Sequence, residues 1–103
     1  MNYHVVSHPE VEQDIFDIVD YIAPFAGLAS ARKATDDITG FITRLGDFPK
    51  IGSLRNDVRP GLRAVAVREA AICFVVDDET ATVTILGVGF AGSDWTRRVR
   101  DRG

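Results

Sequence analysis

Apolar and polar residues alternate along the chain in two different periods, and the change of period divides it. Tyr3 to Val6 is a short apolar-leaning run that predicts a first strand. Ser7-His8-Pro9-Glu10 reads as a helix start: Ser7 caps, Glu10 is the reciprocal partner three residues on, and Pro9 is tolerated in the first turn. Val11, Ile15, Ile18 and Ile22 then recur at helical spacing with Val19 alongside, while Glu12, Asp14, Asp17 and Asp20 fall between them. This is an amphipathic helix with an acidic outer face, ended by Pro24 and Gly27. From Leu28 to about Leu45 a second stripe runs through Leu28, Ala31, Thr35, Ile38, Ile42 and Leu45, opposite Arg32, Lys33, Asp36 and Asp37. Gly40 lies mid-helix at a cost of roughly 1 kcal/mol relative to alanine. Gly46 is the expected C-cap and Pro49 the stop. The short break between the two patterns predicts an antiparallel helical hairpin.

Beyond it the period becomes two. Residues 49–61 form a loop punctuated by Pro49, Gly52, Asn56, Pro60 and Gly61. In the run from Leu62 to Arg68, Leu62, Ala64 and Ala66 face one way and Arg63, Val65 and Val67 the other. Ala71 to Val76 is continuously apolar, as in a central strand covered on both faces. Asp77-Asp78-Glu79-Thr80 is an acidic turn and Thr82 to Val88 a last strand. The pattern predicts an α+β domain over residues 1–103, with an antiparallel meander and the helical hairpin packed on one face.

Composition sharpens this picture. The 103 residues are 46% apolar and 26% charged, a globular balance for a single domain. No apolar run approaches the ~20 residues of a membrane span, and the first residues carry no secretory signal pattern. Cys73 has no partner for a disulfide, which fits a reducing cytoplasm, and its place between Ile72 and Phe74 is that of a small buried hydrophobe. The net charge of −3 argues against strong direct binding to nucleic acid, where a positive balance supplies most non-specific affinity. Charge is uneven, with eight acids and four bases in residues 1–50 against seven acids and eight bases, all arginine, in residues 51–103.

Templates for catalysis and cofactors are absent: there is no Gly-rich phosphate loop, no HExxH and no Cys/His metal spacing. His4 and His8 read as surface or capping residues, and Asp36-Asp37 and Asp77-Asp78-Glu79 as solvated acids. The candidates for contact with a partner are Arg55, Arg59, Arg63 and Arg68, since the guanidinium fork suits carboxylates and phosphates. Two readings stand for them: pairing with the chain's own acids, such as Asp57 or the acidic first helix, or facing a groove that a partner fills. Trp95 heads a basic tail, is expected to anchor it to the body, and joins the candidates for contact with an antitoxin or target.

The order of these segments resembles the ParE/RelE superfamily of toxins from type II toxin–antitoxin modules, the ParE branch above all. The resemblance covers nearly the whole chain and rests on Ser7-His8-Pro9-Glu10 with Asp14-Ile15 and Ile18-Val19-Asp20-Tyr21-Ile22. It rests also on Phe48-Pro49 with Gly52, Arg59-Pro60-Gly61-Leu62-Arg63, Ile72-Cys73-Phe74-Val75-Val76, Ile85-Leu86-Gly87-Val88 and Asp94-Trp95. It implies a β-α-α-β-β-β fold, a cognate antitoxin with an acidic C-terminal segment, DNA gyrase as a target, and a homodimer or an antitoxin-bound heterotetramer. The RelE branch instead cleaves messenger RNA on the ribosome with basic residues and a C-terminal tyrosine, groups suited to proton transfer and charge stabilisation. Here Gly89-Phe90-Ala91-Gly92-Ser93 contains no lysine, arginine or histidine, and no tyrosine follows Tyr21. Where relatives carry a glycine-aromatic turn after Val67, this chain has Arg68-Glu69-Ala70. The resemblance therefore implies a gyrase-directed toxin without a catalytic centre; an mRNA endoribonuclease and an inactive antitoxin binder are the alternatives.

Overall fold

Alternation along β3 (Arg63–Val67), β4 (Ala70–Asp77) and β5 (Thr82–Phe90) sends successive side chains to opposite faces of an antiparallel meander, as expected. The computed structural model describes residues 2–90 and 93–102. β1 (His4–Ser7) lies beside β5 and the two-residue β2 (Ser53–Leu54) beside β3, giving the order β1-β5-β4-β3-β2. β1 runs parallel to β5, so the sheet is mixed, and only its meander and β2 are antiparallel.

The hairpin on one face is a single helical span, α1 (Val11–Arg44), broken at Gly27. Gly27 holds φ 88° and ψ 165°, a conformation that glycine adopts without steric penalty. Pro24 does not end the first arm; the helix runs through it and reverses at Gly27. The arms pack on the sheet around Ile18, Ile38, Phe74, Val83, Ile85 and Val88. A second, smaller core lies on the opposite face, where the short helix α2 (Trp95–Asp101) sets Trp95 and Val99 on Leu62, Cys73 and Leu86.

Helix capping differs from expectation at both ends of α1. Ser7 belongs to β1, paired with Ile85, and the His8 N–H continues that ladder to the Ile85 carbonyl at 2.8 Å. Sheet pairing therefore takes precedence over a Ser7–Glu10 capping box. His8 Nδ1 instead accepts the Glu10 N–H at 3.1 Å. At the far end Leu45 is the cap, and Gly46 is needed for close approach: a Cβ there would lie 2.7 Å from the Tyr3 carbonyl oxygen.

A shift of register between Cys73/Gly87 and Phe74/Ile85 leaves Leu86 as an extra residue on β5. This bulge sends Leu86 to the α2 face and turns Gly87 and Gly89 toward α2 as well. A Cβ on Gly87 would meet Val99 Cγ2 at 2.7 Å, so the glycine is what seats α2 against the strand.

Cys73 is fully buried in the second core, and burial pushes its thiol up to about 12. A thiol reagent at pH 8 is expected to leave the native protein unlabelled and to modify one thiol per chain in denaturant. Prompt labelling of the folded protein would contradict this packing.

Candidate partner-binding surface

The arginines nominated from sequence are engaged within the chain. Arg55 makes a two-pronged contact with Asp57, both bonds at 3.0 Å, and its guanidinium lies 5.4 Å from the centre of the Trp95 ring. That hydrogen bonding holds the Asp57 carboxyl below its ordinary range and the Arg55 guanidinium above its own. Arg59 donates to the Val99 carbonyl at 3.3 Å and to that of Arg102, capping the C-terminal end of α2. Arg63 reaches the carbonyls of Lys50 and Ile51 at 3.3 and 3.5 Å, tying the preceding loop to β3. Arg68 pairs with Asp37 on the second arm of α1. Trp95 is buried under α2 and anchors it, as expected. Arg55, Arg59 and Trp95 thus gather at the seat of α2, whereas Arg63 and Arg68 stand apart.

The most strongly built polar cluster centres on Asp14, which the sequence reading placed on the outer acidic face and which is 2% exposed. Beyond Ser7, β1 no longer flanks β5, and Asp14 takes its place: Oδ2 accepts the Val88 N–H at 3.0 Å. Arg102, the residue that caps α2, contributes two bonds, Nη1 to Oδ2 at 2.5 Å and Nη2 to Oδ1 at 2.9 Å, and from α2 itself Arg98 Nη1 lies 3.3 Å from Oδ1. Arg102 Nη1 also donates to the Leu86 carbonyl at 3.0 Å. The hydrogen bonds to Asp14 hold the Arg102 guanidinium protonated more firmly than usual, although burial pulls the other way. The signal was present in the spacing, since Asp14 falls three residues after Val11 and four before Ile18, on the buried stripe itself.

Part of what the fold leaves uncovered is apolar. Phe25 is 84% exposed and Leu28 73% at the turn of the hairpin, although the periodicity assigns Leu28 to the core stripe. The chain reverses at Gly27, one residue earlier, so Leu28 belongs to the turn and is not among the residues packed on the core. Tyr21 stacks between Phe25 and Phe90, with ring centres 6.0 and 4.5 Å apart. An open cleft of about 420 Å³ lies beside them, walled by Asp17, Tyr21, Phe90, Asp94 and Arg98. Exposed aromatic and aliphatic groups beside charged rims are the chemistry of a protein-binding surface. Among the described residues no group of three or more His, Cys, Asp or Glu side chains is placed to hold a metal ion.

The architecture is that of a small α+β domain: an open mixed sheet with a helical hairpin on one face and a clamped C-terminal helix on the other. It superposes on a chain of the chromosomal ParDE toxin–antitoxin system of P. aeruginosa with a TM-score of 0.72 at 21% identity, over 85% of this chain and 95% of that one. E. coli toxin RelE in the free state, as an arginine-substituted mutant, gives 0.67 at 15% identity over 94% and 92%. A chain of the RelBE2 toxin–antitoxin complex of Mycobacterium tuberculosis gives 0.60 at 20% identity over 87% and 99%. No curated protein sequence matches the chain. Residues 5–95 match the family described as ParE toxin of type II toxin-antitoxin system, parDE, and the chain belongs to that family. It is a toxin of the type II toxin–antitoxin class.

Proposed function

We propose that this toxin acts in the cytoplasm by binding and inhibiting DNA gyrase, and that a cognate antitoxin with an acidic C-terminal segment neutralises it. The observation behind this reading is the state of its cations. Arg63, Arg68, Arg98 and Arg102 each bond to the chain's own carbonyls or carboxylates. Residues 89–93 supply no lysine, arginine, histidine or tyrosine, although Ala91 and Gly92 lie outside the described residues. In-line attack by a 2′-hydroxyl needs an acid/base group and a cation aimed at the developing charge. Inhibition by docking needs an exposed surface rather than a catalytic constellation.

Purified toxin is expected to block supercoiling by gyrase and to accumulate cleaved DNA, while primer extension on translated messages detects no new ends. Normal supercoiling accompanied by transcript cleavage would overturn the proposal in favour of the ribonuclease. The antitoxin is expected among the products of the adjacent reading frames, as a small DNA-binding protein with an acidic tail.

A further inference from the structure

β1 is an outer strand of the sheet, and only one of its two edges is paired. The N–H groups of His4 and His8 donate inward to the Ala81 and Ile85 carbonyls, each at 2.8 Å, so the even-numbered residues serve the parallel ladder with β5. The odd-numbered residues point away from it. Tyr3 shows this directly, donating its N–H to the Gly46 carbonyl at 2.8 Å. Val5 and Ser7 follow on the same edge, and among the described residues their main-chain groups have no outward partner.

The two edges of the sheet are closed differently. β2, at the far edge, is two residues long, with the charged Lys50 and Arg55 close to it in the chain. Short length and nearby charge are ordinary ways to keep an edge from pairing with another chain. β1 has neither safeguard: His4-Val5-Val6-Ser7 contains no lysine, no acid and no proline, and its register with β5 is unbroken. Val5 packs on the core under the hairpin, so Val6, the next residue, faces the other side of the sheet, where it is 38% exposed.

We infer that β1 is a self-association edge, on which a second copy of this chain lays its own β1 antiparallel across a two-fold axis at Val6. In that register Val5 of each copy lies opposite Ser7 of the other, and each such pair exchanges two bonds from N–H to carbonyl. All the outward main-chain groups of Val5 and Ser7 are then satisfied. The two Val6 side chains meet on the axis, in the non-hydrogen-bonded position where cross-strand side chains are closest. The chain also limits the ladder at both ends. Tyr3 falls opposite Pro9 of the second copy; the Tyr3 N–H is already held by Gly46, and proline has none to offer. The contact is isologous and closed, joining two five-stranded sheets into one with both hairpins on the same face. It is also short, so the expected affinity is that of a transient dimer, with a dissociation constant of about 10–100 μM. None of this depends on the proposed target.

Sedimentation equilibrium of the purified chain tests it, with Ser7→Pro and Ser7→Ala alongside and thermal unfolding of each. Ser7→Pro deletes an outward N–H and spares the ladder with β5, since proline is tolerated on an edge strand whose N–H faces solvent. Ser7→Ala keeps the N–H. Wild type and Ser7→Ala should dimerise alike, and Ser7→Pro at least about tenfold more weakly with a melting temperature close to wild type. A cross-linking arm remains decisive if Ser7→Pro fails to fold. Opposed residues of a non-hydrogen-bonded pair have Cα atoms about 4.5 Å apart, within reach of a disulfide, so Val6→Cys should give a linked dimer under mild oxidation. Leu54→Cys, on the far edge and more exposed at 54%, should stay monomeric, and buried Cys73 takes no part. A wild-type chain that remains monomeric up to about 1 mM would overturn the inference. So would undiminished dimerisation of a folded Ser7→Pro, or equal cross-linking of Val6→Cys and Leu54→Cys, which would mark random collision.

Discussion

Replacing Asp14 with alanine is expected to destabilise the protein by about 3–5 kcal/mol, the range found when one partner of a buried ion pair is removed. For a domain of this size that lowers the thermal midpoint by roughly 15 °C. The magnitude follows from what the carboxylate satisfies. Its two oxygens accept the Val88 N–H and the guanidinium groups of Arg98 and Arg102, and the Arg102 side chain is itself only 9% exposed. Without Asp14, Arg102 keeps the Leu86 carbonyl and an outlying contact to Glu10 at 3.5 Å, which leave its charge poorly compensated. Arg98 is 39% exposed and turns to solvent, so Arg98→Ala should cost only about 1 kcal/mol. Combining Asp14→Ala with Arg102→Met removes both buried charges, and the pair should lose much less than the sum of the single variants. Urea unfolding followed by circular dichroism measures all four. A loss below about 1 kcal/mol for Asp14→Ala would show that the cluster is not the clamp its geometry describes.

This clamp also marks where the sequence stops being readable. The meander and the two helical arms follow from periodicity, because apolar side chains at period two or 3.6 have only one way to face a shared core. Cys73 was legible for the same reason. The parallel pairing of β1 with β5 was not, since a four-residue strand carries no mark of its neighbour's direction. The bulge at Leu86 was equally hidden: Ile85-Leu86-Gly87 reads as continuous strand, yet the extra residue decides which face receives Gly87 and thus where α2 can sit. Trp95 was correctly read as an anchor. The helix that follows it depends on Arg59, Arg98 and Arg102 finding carbonyls and a carboxylate brought from distant parts of the chain. Of the nominated arginines, Arg55 has a partner two residues away, visible in the sequence, whereas the partners of Arg59, Arg63 and Arg68 lie 12 or more residues distant. Local spacing identifies an arginine as available, and only the tertiary fold says what it meets.

Changing Phe25 and Leu28 together to aspartate should weaken antitoxin binding by about a hundredfold or more, since buried apolar anchors at the centre of an interface contribute about 2–4 kcal/mol. The fold should hardly notice, because solvent already surrounds both side chains and surface substitutions usually stay within about 0.5 kcal/mol. That contrast makes the double variant informative: a melting temperature close to wild type excludes misfolding as the cause of weaker binding. Phe25 packs on Tyr21, which in turn meets Phe90 beside the open cleft, so a partner reaching from that cleft over Tyr21 would cover Phe25. Binding within about threefold of wild type, less than 1 kcal/mol, would mean that the antitoxin leaves the turn of the hairpin bare. A toxin that then fails to arrest growth while still binding antitoxin would place the turn on the target instead. The antitoxin would in that case neutralise without covering the surface that does the harm, through a change in the toxin rather than by occlusion. An antitoxin-binding defect matched by retained growth arrest gives the opposite assignment, with separate surfaces for partner and target. Isothermal titration and a growth assay on the same double variant distinguish these outcomes.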